Sequence, residues 1–456
     1  MKIIIVGGGK VGAATAKHLS SEGHDIVLVD KNFEHIQRIS DKLDIMCIKG
    51  NGLRTSVLVE AGVAGADLII TATPSDEINM LCCLTAKRLG AKHTIARIRD
   101  PEYSEELSTL RKEMGLDMVI NPEKEAAAEI ARVLRFPMAV NVETFMGGKA
   151  EMVSFRIKEN GLLSGQSIAS IMSKIKLSIV ICAVVHNGEV IIPDGNYVAT
   201  AEDLFYVIGE PPEIYQFFKY AKRDTKSAKS AFIIGGRRIA YYLCRSLLDA
   251  GTNVKLIELN KEKCYELNET FPDCIVINGD GSDSELLDEE DISSFSSVVT
   301  ITGRDEENLL MALYASKVGV PKVIAKINRE NYDEIIESFG VDSIISPKKI
   351  TAVQIIRFVR ALNNSIDHAN IETLYHIVDG KAEALEFLAN QKTLNLSIPF
   401  KDITFKKNYI VAAIERNGKV IIPSGNDYIL NGDRVVMVCS NSKAADLNDV
   451  FENGGR

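Results

Sequence analysis

Gly7, Gly9 and Gly12 fall in a Gly-x-Gly-x-x-Gly pattern, and Asp30 follows Gly12 by 18 residues. Each has a mechanical task toward a pyrophosphate. Gly7 makes a tight turn, Gly9 lets the backbone approach the phosphates, and Gly12 lets the next helix pack close. Gly8, Lys10 and Val11 complete a loop whose helix N-terminus presents free N–H groups to an anion. Asp30 can accept from ribose hydroxyls and repels a 2′-phosphate, which disfavours NADP. Gly50-Asn51-Gly52 and Thr71-Ala72-Thr73-Pro74 are small and polar enough to border ribose and base. Lys10 and Arg97 either bring positive charge to the phosphates or are solvated surface charges. The pattern reads as a nucleotide site; the competing reading is an α/β unit that has lost its ligand.

The pattern returns 228 residues later, altered. Gly235 and Gly236 persist, but Arg237 stands where Gly9 stood and Ala240 replaces Gly12. A side chain at 237 crowds the place where backbone meets pyrophosphate; alanine at 240 is the milder change. Arg238 and Ile239 fill out the loop, Glu258 matches Asp30, Asp280 keeps hydroxyl-binding capacity and Thr302 matches Thr73. A second site is therefore either absent or takes a differently charged or placed nucleotide.

Little else in the chain can do chemistry. The seven histidines are scattered, the eight cysteines contain no C-x-x-C, and no Walker-type or Ser/His/Asp arrangement occurs. A hydride-transfer enzyme needs an acid or base near the nicotinamide, and no substrate domain offers one. Binding without catalysis is the better account, so no catalytic residue is assigned; an NAD-dependent oxidoreductase is the alternative. The net charge of −9 argues against a nucleic-acid partner. The longest apolar runs are seven or eight residues, short of the ~20 that span a bilayer. A cytoplasmic location is expected, with any membrane association made through a partner.

The elements that hold these residues repeat as well. Runs at 2–6, 26–29, 45–48, 68–71, 94–97 and 118–120 are rich in Val and Ile without polar alternation, as parallel strands covered on both faces are. Helical patterns at 11–21, 33–42 and 77–89 lie between them, and 123–134 reads as a crossover helix ended by Pro137. From 140 to 209 the pattern alternates and carries the hairpin signals Asn160-Gly161 and Asn187-Gly188, with Gly147-Gly148 and Asp194-Gly195 as further turns. Residues 221–230 read as a polar linker, after which the cycle restarts, with a second helix over 348–362. Asp76-Glu77-x-Asn79 recurs as Asp305-Glu306-x-Asn308, Arg97 as Lys326, and Asn187-Gly188-x-x-Ile-Ile-Pro193 as Asn417-Gly418-x-x-Ile-Ile-Pro423. The fold class is α/β: two Rossmann-like doubly wound parallel sheets, each followed by a small β-rich α+β domain. The expected boundaries are 1–122, 139–222, 230–347 and 367–450.

Tandem modules of this kind resemble the RCK (regulator of potassium conductance) architecture. The whole chain is similar to the TrkA family of cytosolic subunits of Trk potassium-uptake systems. The residues that carry the likeness are Gly7 to Gly12, Asp30, Ser75-Asp76-Glu77-x-Asn79-Met80, Ala96-Arg97-Ile98, Asp100-Pro101-Glu102-Tyr103 and the two Ile-Ile-Pro-x-Gly elements. The resemblance implies regulatory binding of NAD(H) and/or ADP/ATP, with Lys10 and Arg97 approaching nucleotide phosphate. It implies a homo-oligomeric cytosolic ring held at the inner face of the membrane by a Trk-type potassium-transporting subunit. It also implies a cation-binding role for Glu123, in a Pro122-Glu123 pair that Pro347-Lys348 does not match. A nucleotide sensor for a transporter other than Trk remains the third reading.

Overall fold

The computed structural model describes the chain outside residues 104–110, 112, 136–138, 160, 222–228, 329–340, 342, 368–370, 378–380, 441–445 and 453–456, and outside the side chains of 357, 361 and 363–380. The linker at 222–228, Pro137 and Asn160 therefore lie outside the described residues.

The first α/β unit has strands β1 (Lys2–Val6), β2 (Asp25–Asp30), β3 (Met46–Lys49), β4 (Leu68–Thr71), β5 (His93–Arg97) and β6 (Met118–Ile120). They form one parallel sheet in the order β3-β2-β1-β4-β5-β6. Ile3, Ile4 and Ile5 are fully buried, as residues of a strand covered on both faces must be. The order reverses between β1 and β4, where sheets of this class open a crevice at their strands' carboxyl ends. The strand ends fall within one residue of those expected. The six-residue helix Thr55–Glu60 was not expected; little more than one turn carries too few residues to show periodicity.

The next module is antiparallel: β7 (Asn141–Phe145), β8 (Ala150–Arg156), β9 (Ile179–His186), β10 (Glu189–Ile191) and β11 (Leu204–Gly209), in the order β10-β9-β11-β8-β7. Asn187 and Gly188 turn β9 into β10 with φ of +50° and +78°, the paired left-handed conformations a two-residue hairpin needs. Helices Ile168–Ile175 and Pro211–Tyr220 cover the sheet, and Phe217 and Phe218 pack edge-on against Phe155.

The second α/β unit repeats the first: β12 (Ser230–Ile234), β13 (Asn253–Glu258), β14 (Ile275–Asn278), β15 (Ser297–Thr300), β16 (Val323–Lys326) and β17 (Ser343–Ile345), parallel in the order β14-β13-β12-β15-β16-β17. The helix expected over 348–362 runs from Pro347 to Asp367. The second antiparallel module has β18 (Ile371–Ile377), β19 (Ala382–Leu388), β20 (Tyr409–Arg416), β21 (Lys419–Ile421) and β22 (Arg434–Ser440), in the matching order β18-β19-β22-β20-β21. Its connections carry the single turns Phe400–Asp402 and Leu447–Val450 where the first module has helices.

Order along the chain and grouping in space differ. The α/β units join as one compact unit (Met1–Ala131 with Lys229–Ile356) and the antiparallel modules as another (Arg132–Ala228 with Arg357–Arg456). Inside the first unit, the Tyr242 hydroxyl donates to the Arg99 carbonyl oxygen at 3.2 Å and accepts from Asn121 Nδ2 at 2.8 Å. Inside the second, the sheets share an apolar layer of Met146, Met152, Ala183, Ala384, Ala413 and Val438.

Candidate nucleotide-binding site

The glycine loop hangs between β1 and the helix Lys10–Ser21. Gly7 has φ +108°, and its amide donates to the Val29 carbonyl oxygen at 2.8 Å. A Cβ on Gly7 would lie 2.8 Å from the Ala72 backbone, and one on Gly12 only 1.8 Å from the Gly7 carbonyl oxygen. Both glycines are fixed by close packing of backbone on backbone. Gly9 is different: a Cβ there would meet no protein atom within 4 Å. Packing does not require that glycine, so the open space beside it is what its missing side chain leaves for something else.

Asp30 has a task the sequence did not show. Its Oδ2 accepts from the Gly8 amide at 2.5 Å, its Oδ1 from the Asn32 amide at 2.7 Å, and His35 Nδ1 lies 3.2 Å from Oδ2. Glu258 does the same with Gly236 at 2.6 Å and Asn260 at 2.8 Å. The acidic residue clamps its own glycine loop, and any ribose contact uses the capacity that remains.

Thr73 and Pro74 follow β4, and Asn79 anchors them. Asn79 Oδ1 accepts from the Thr73 amide at 2.9 Å and the Thr73 hydroxyl at 2.7 Å; its Nδ2 donates to the carbonyl oxygens of Thr73 at 3.2 Å and Arg97 at 2.7 Å. Asp76 accepts from the amides of Arg99 at 2.8 Å and Asp100 at 2.9 Å. Asn308 and Asp305 reproduce both devices around Thr302 and Asn328. These four side chains hold the crevice walls, and their recurrence in sequence was the signal for them. Asn51 and Asp280 cap their own loops, accepting from Leu53 at 3.1 Å and from the Ser282 amide at 2.9 Å.

Arg97 ends β5 and donates from Nη2 to the Thr73 carbonyl oxygen at 2.8 Å. It is no solvated surface charge. Its Nε is buried without a hydrogen-bond partner, and burial pulls the guanidinium down to about 10, with Arg99 and Arg238 adding to the fall and Glu123 and Asp76 opposing it. Lys326 donates to the Thr302 carbonyl oxygen and is likewise lowered by burial, with Lys10 and Arg237 adding and Asp305 and Glu123 opposing. Each buried cation thus feels basic residues of the other α/β unit. The exposed Lys10, expected at its own loop's phosphates, helps lower Lys326 of the second unit, and Arg238 helps lower Arg97 of the first.

Glu123 acts on both cations, and its Oε2 is buried without a partner. Among the described residues no group of three His, Cys, Asp or Glu side chains is placed to hold a metal ion. In the second unit Arg237 reaches across the crevice: its Nη1 lies 3.1 Å from where a Cβ on Gly303 would be. Ile239 and Val11 are buried under their loops.

A TrkA-N domain model matches residues 3–122 and again 231–347, and a TrkA-C domain model matches 152–222 and 397–452. The Trk system potassium uptake protein TrkA homolog 1 of Methanosarcina mazei is 32% identical over 461 residues, covering 99% of this chain and 100% of its own length. The chain belongs to the TrkA family. TrkA relatives are named for potassium uptake and not for a reaction, and the oxidoreductase alternative is set aside. The fold is shared with the GsuK channel bound to NAD, at TM-score 0.63 and 18% identity over 96% of this chain and 76% of that one. It is shared also with GsuK bound to ADP, at TM-score 0.52 and 17% identity over 80% and 69%. These likenesses establish the tandem RCK architecture. Among the described residues no helix is long and apolar enough to cross a membrane.

Proposed function

We propose that the first crevice binds an adenine nucleotide, NAD(H) or ADP/ATP, and that its occupancy regulates potassium uptake by a membrane partner. One observation carries the ligand: Arg97, with a buried, unpaired Nε, meets Thr73 on one side, and the glycine loop with its open space at Gly9 meets Thr73 on the other. A desolvated guanidinium lacking one partner, beside a turn of backbone amides, favours an anion. Gly7 to Gly12 would seat the pyrophosphate, Asp30 the ribose, and Asn51, Thr73 and Pro74 the ribose and base. Arg97 with Arg238 would meet the phosphates, while Glu123 serves as a counter-charge to Arg97 and Lys326. The second crevice, around Gly235, Gly236, Glu258, Asp280 and Thr302, has Arg237 lying across it, so it binds more weakly.

The NAD and the ADP bound by GsuK agree with this chemistry. The family points to a Trk-type potassium-transporting subunit as the partner, with the chain assembled as a homo-oligomeric cytosolic ring against the membrane's inner face. Nucleotide acts by binding two states of that assembly unequally. The test is calorimetric titration with NADH, NAD, ADP and ATP, followed by potassium flux in vesicles carrying the co-purified transport subunit. A Cβ at Gly9 would meet no protein atom within 4 Å, so Gly9→Val should abolish binding while the fold stays intact. Binding by Gly9→Val equal to wild type would reject the site, and nucleotide-independent flux would reject the regulatory role.

A further inference from the structure

Beyond the two amides of its clamp, Asp30 meets a side chain that can change its charge. His35 is the third residue of the helix Phe33–Ser40, which Asn32 caps by accepting from the Glu34 amide at 2.9 Å. Helical side chains lean toward the helix N-terminus, and that lean carries the imidazole back to Asp30, with Nδ1 3.2 Å from Oδ2. Both Asp30 oxygens already accept amide protons, so the carboxylate is the acceptor and Nδ1 carries the hydrogen, a tautomer assigned from the bonding pattern. A carboxylate offers about four acceptor places on its two oxygens. Gly8 and His35 fill Oδ2 and Asn32 takes one place on Oδ1, which leaves room for about one hydroxyl donor at Oδ1. The Asp30 side chain is 10% exposed and that of His35 36%, so a proton can reach the ring from solvent while the carboxylate beside it is shielded from screening.

The repeat supplies an internal control. Glu258 keeps the clamp on Gly236 and Asn260, but Lys263 stands at the place of His35. The clamp therefore does not require an imidazole. Lysine holds its charge through the neutral range, whereas histidine changes charge between about pH 5 and 8. The other charged groups about the pair come from two directions. Lys49 ends β3, where it pairs with Asp30 in the sheet, and its amine lies 5.5 Å over the Phe33 ring; Lys31, Glu34 and Arg38 flank His35 along its own segment. Side chains of these types keep their charge over that range. The other histidines of the first α/β unit lie toward the opposite ends of the strands: His93 begins β5, His24 precedes β2, and His18 is in the last turn of the helix Lys10–Ser21.

We propose that His35 is a positioning residue that sets, through Asp30, how firmly the first crevice holds a ligand's ribose hydroxyls, and that it makes this hold pH-dependent. The role rests on that crevice being a nucleotide site, as proposed above. With the ring neutral, Asp30 keeps its full charge for a hydroxyl at Oδ1. A proton on the ring turns the contact into an ion pair, draws the carboxylate's charge toward Oδ2 and weakens Oδ1 as an acceptor. The same proton attracts phosphate, so a single affinity mixes two opposed effects. The ratio of two ligands with identical phosphates isolates the hydroxyl effect. The full-length chain is titrated calorimetrically with ADP, the portion common to NAD, ADP and ATP, and with 2′,3′-dideoxy-ADP, at steps from about pH 6 to about pH 8.5. In wild type, ADP should bind about tenfold more tightly than the dideoxy form at the upper pH, and the advantage should shrink to about threefold or less at the lower. His35→Lys, which carries the other half's residue and a fixed charge, should show the small advantage at every pH. His35→Gln, which can donate but cannot charge, should show the large one at every pH, and either variant serves if the other fails to fold. A wild-type ratio that does not change with pH, or a variant ratio that follows the wild-type course, would overturn the role of His35 while leaving the nucleotide site. Absence of ADP binding at every pH would reject the nucleotide reading itself, and the role of His35 with it.

Discussion

The two α/β halves share sheet order, the carboxylate clamp on the glycine loop and the asparagine bridge, yet differ where a ligand would touch them. Gly9 faces open space while Arg237 lies across its own crevice. What both halves keep is what builds a Rossmann-like unit, and what they vary lies where the proposed nucleotide would sit.

The largest effect should come from the shared bridge. Asn79→Ala and Asn308→Ala each strip four hydrogen bonds from a fully buried side chain, costing roughly 2–4 kcal/mol in urea unfolding. The stability costs should match, whereas only Asn79→Ala should also lose nucleotide. Next is the loop turn. Gly12→Ala forces a methyl against the Gly7 carbonyl oxygen and should cost about 1–3 kcal/mol, while Ala240→Gly should cost under ~1 kcal/mol. Equal costs would mean that the two turns have one shape. Arg97→Ala should then narrow the affinity gap between ATP and ADP by about tenfold, read by calorimetry, because each added phosphate is one more charge for it to meet. An unchanged gap would take phosphate counting away from Arg97.

The antiparallel modules offer a smaller contrast. Asp203 accepts from His186 at 2.7 Å, Tyr197 at 3.0 Å and the Thr200 amide at 2.8 Å, whereas Asp433 takes Arg416 at 2.8 Å. Burial raises Asp203, but these donors outweigh it and hold the carboxyl below its ordinary value. Its contribution is therefore full above the ordinary carboxylate range and is lost as pH falls through the lowered value. Asp203→Asn should flatten that acid limb, and His186→Ala should cost about 1 kcal/mol near neutral pH. An acid limb identical to wild type in Asp203→Asn would place the loss elsewhere.

The strands of the first parallel sheet were legible because buried Val and Ile runs between glycine turns have few other structural solutions, and the repeat carried the same unit to 230–347. Helices Ile168–Ile175 and Pro211–Tyr220 were not located, since β-branched residues in the first and a Pro-Pro start in the second weaken helical signals beside strong hairpin turns. The glycine loop and Asp30 were readable by type and spacing, but the clamp from Asp30 to Gly8 needed coordinates. So did the electrostatic effect of Lys10 on Lys326 and of Arg238 on Arg97, because those partners lie in a different repeat. Pairing of like with like was invisible along the chain, where the modules alternate.

The central claim is that one crevice of the two is the receptor. Calorimetric stoichiometry of ATP and of NADH on the full-length chain tests it most directly, in wild type and in Gly9→Val. The account expects one tight site per chain that vanishes in Gly9→Val. Two equal sites per chain, or one site that survives Gly9→Val, would contradict it.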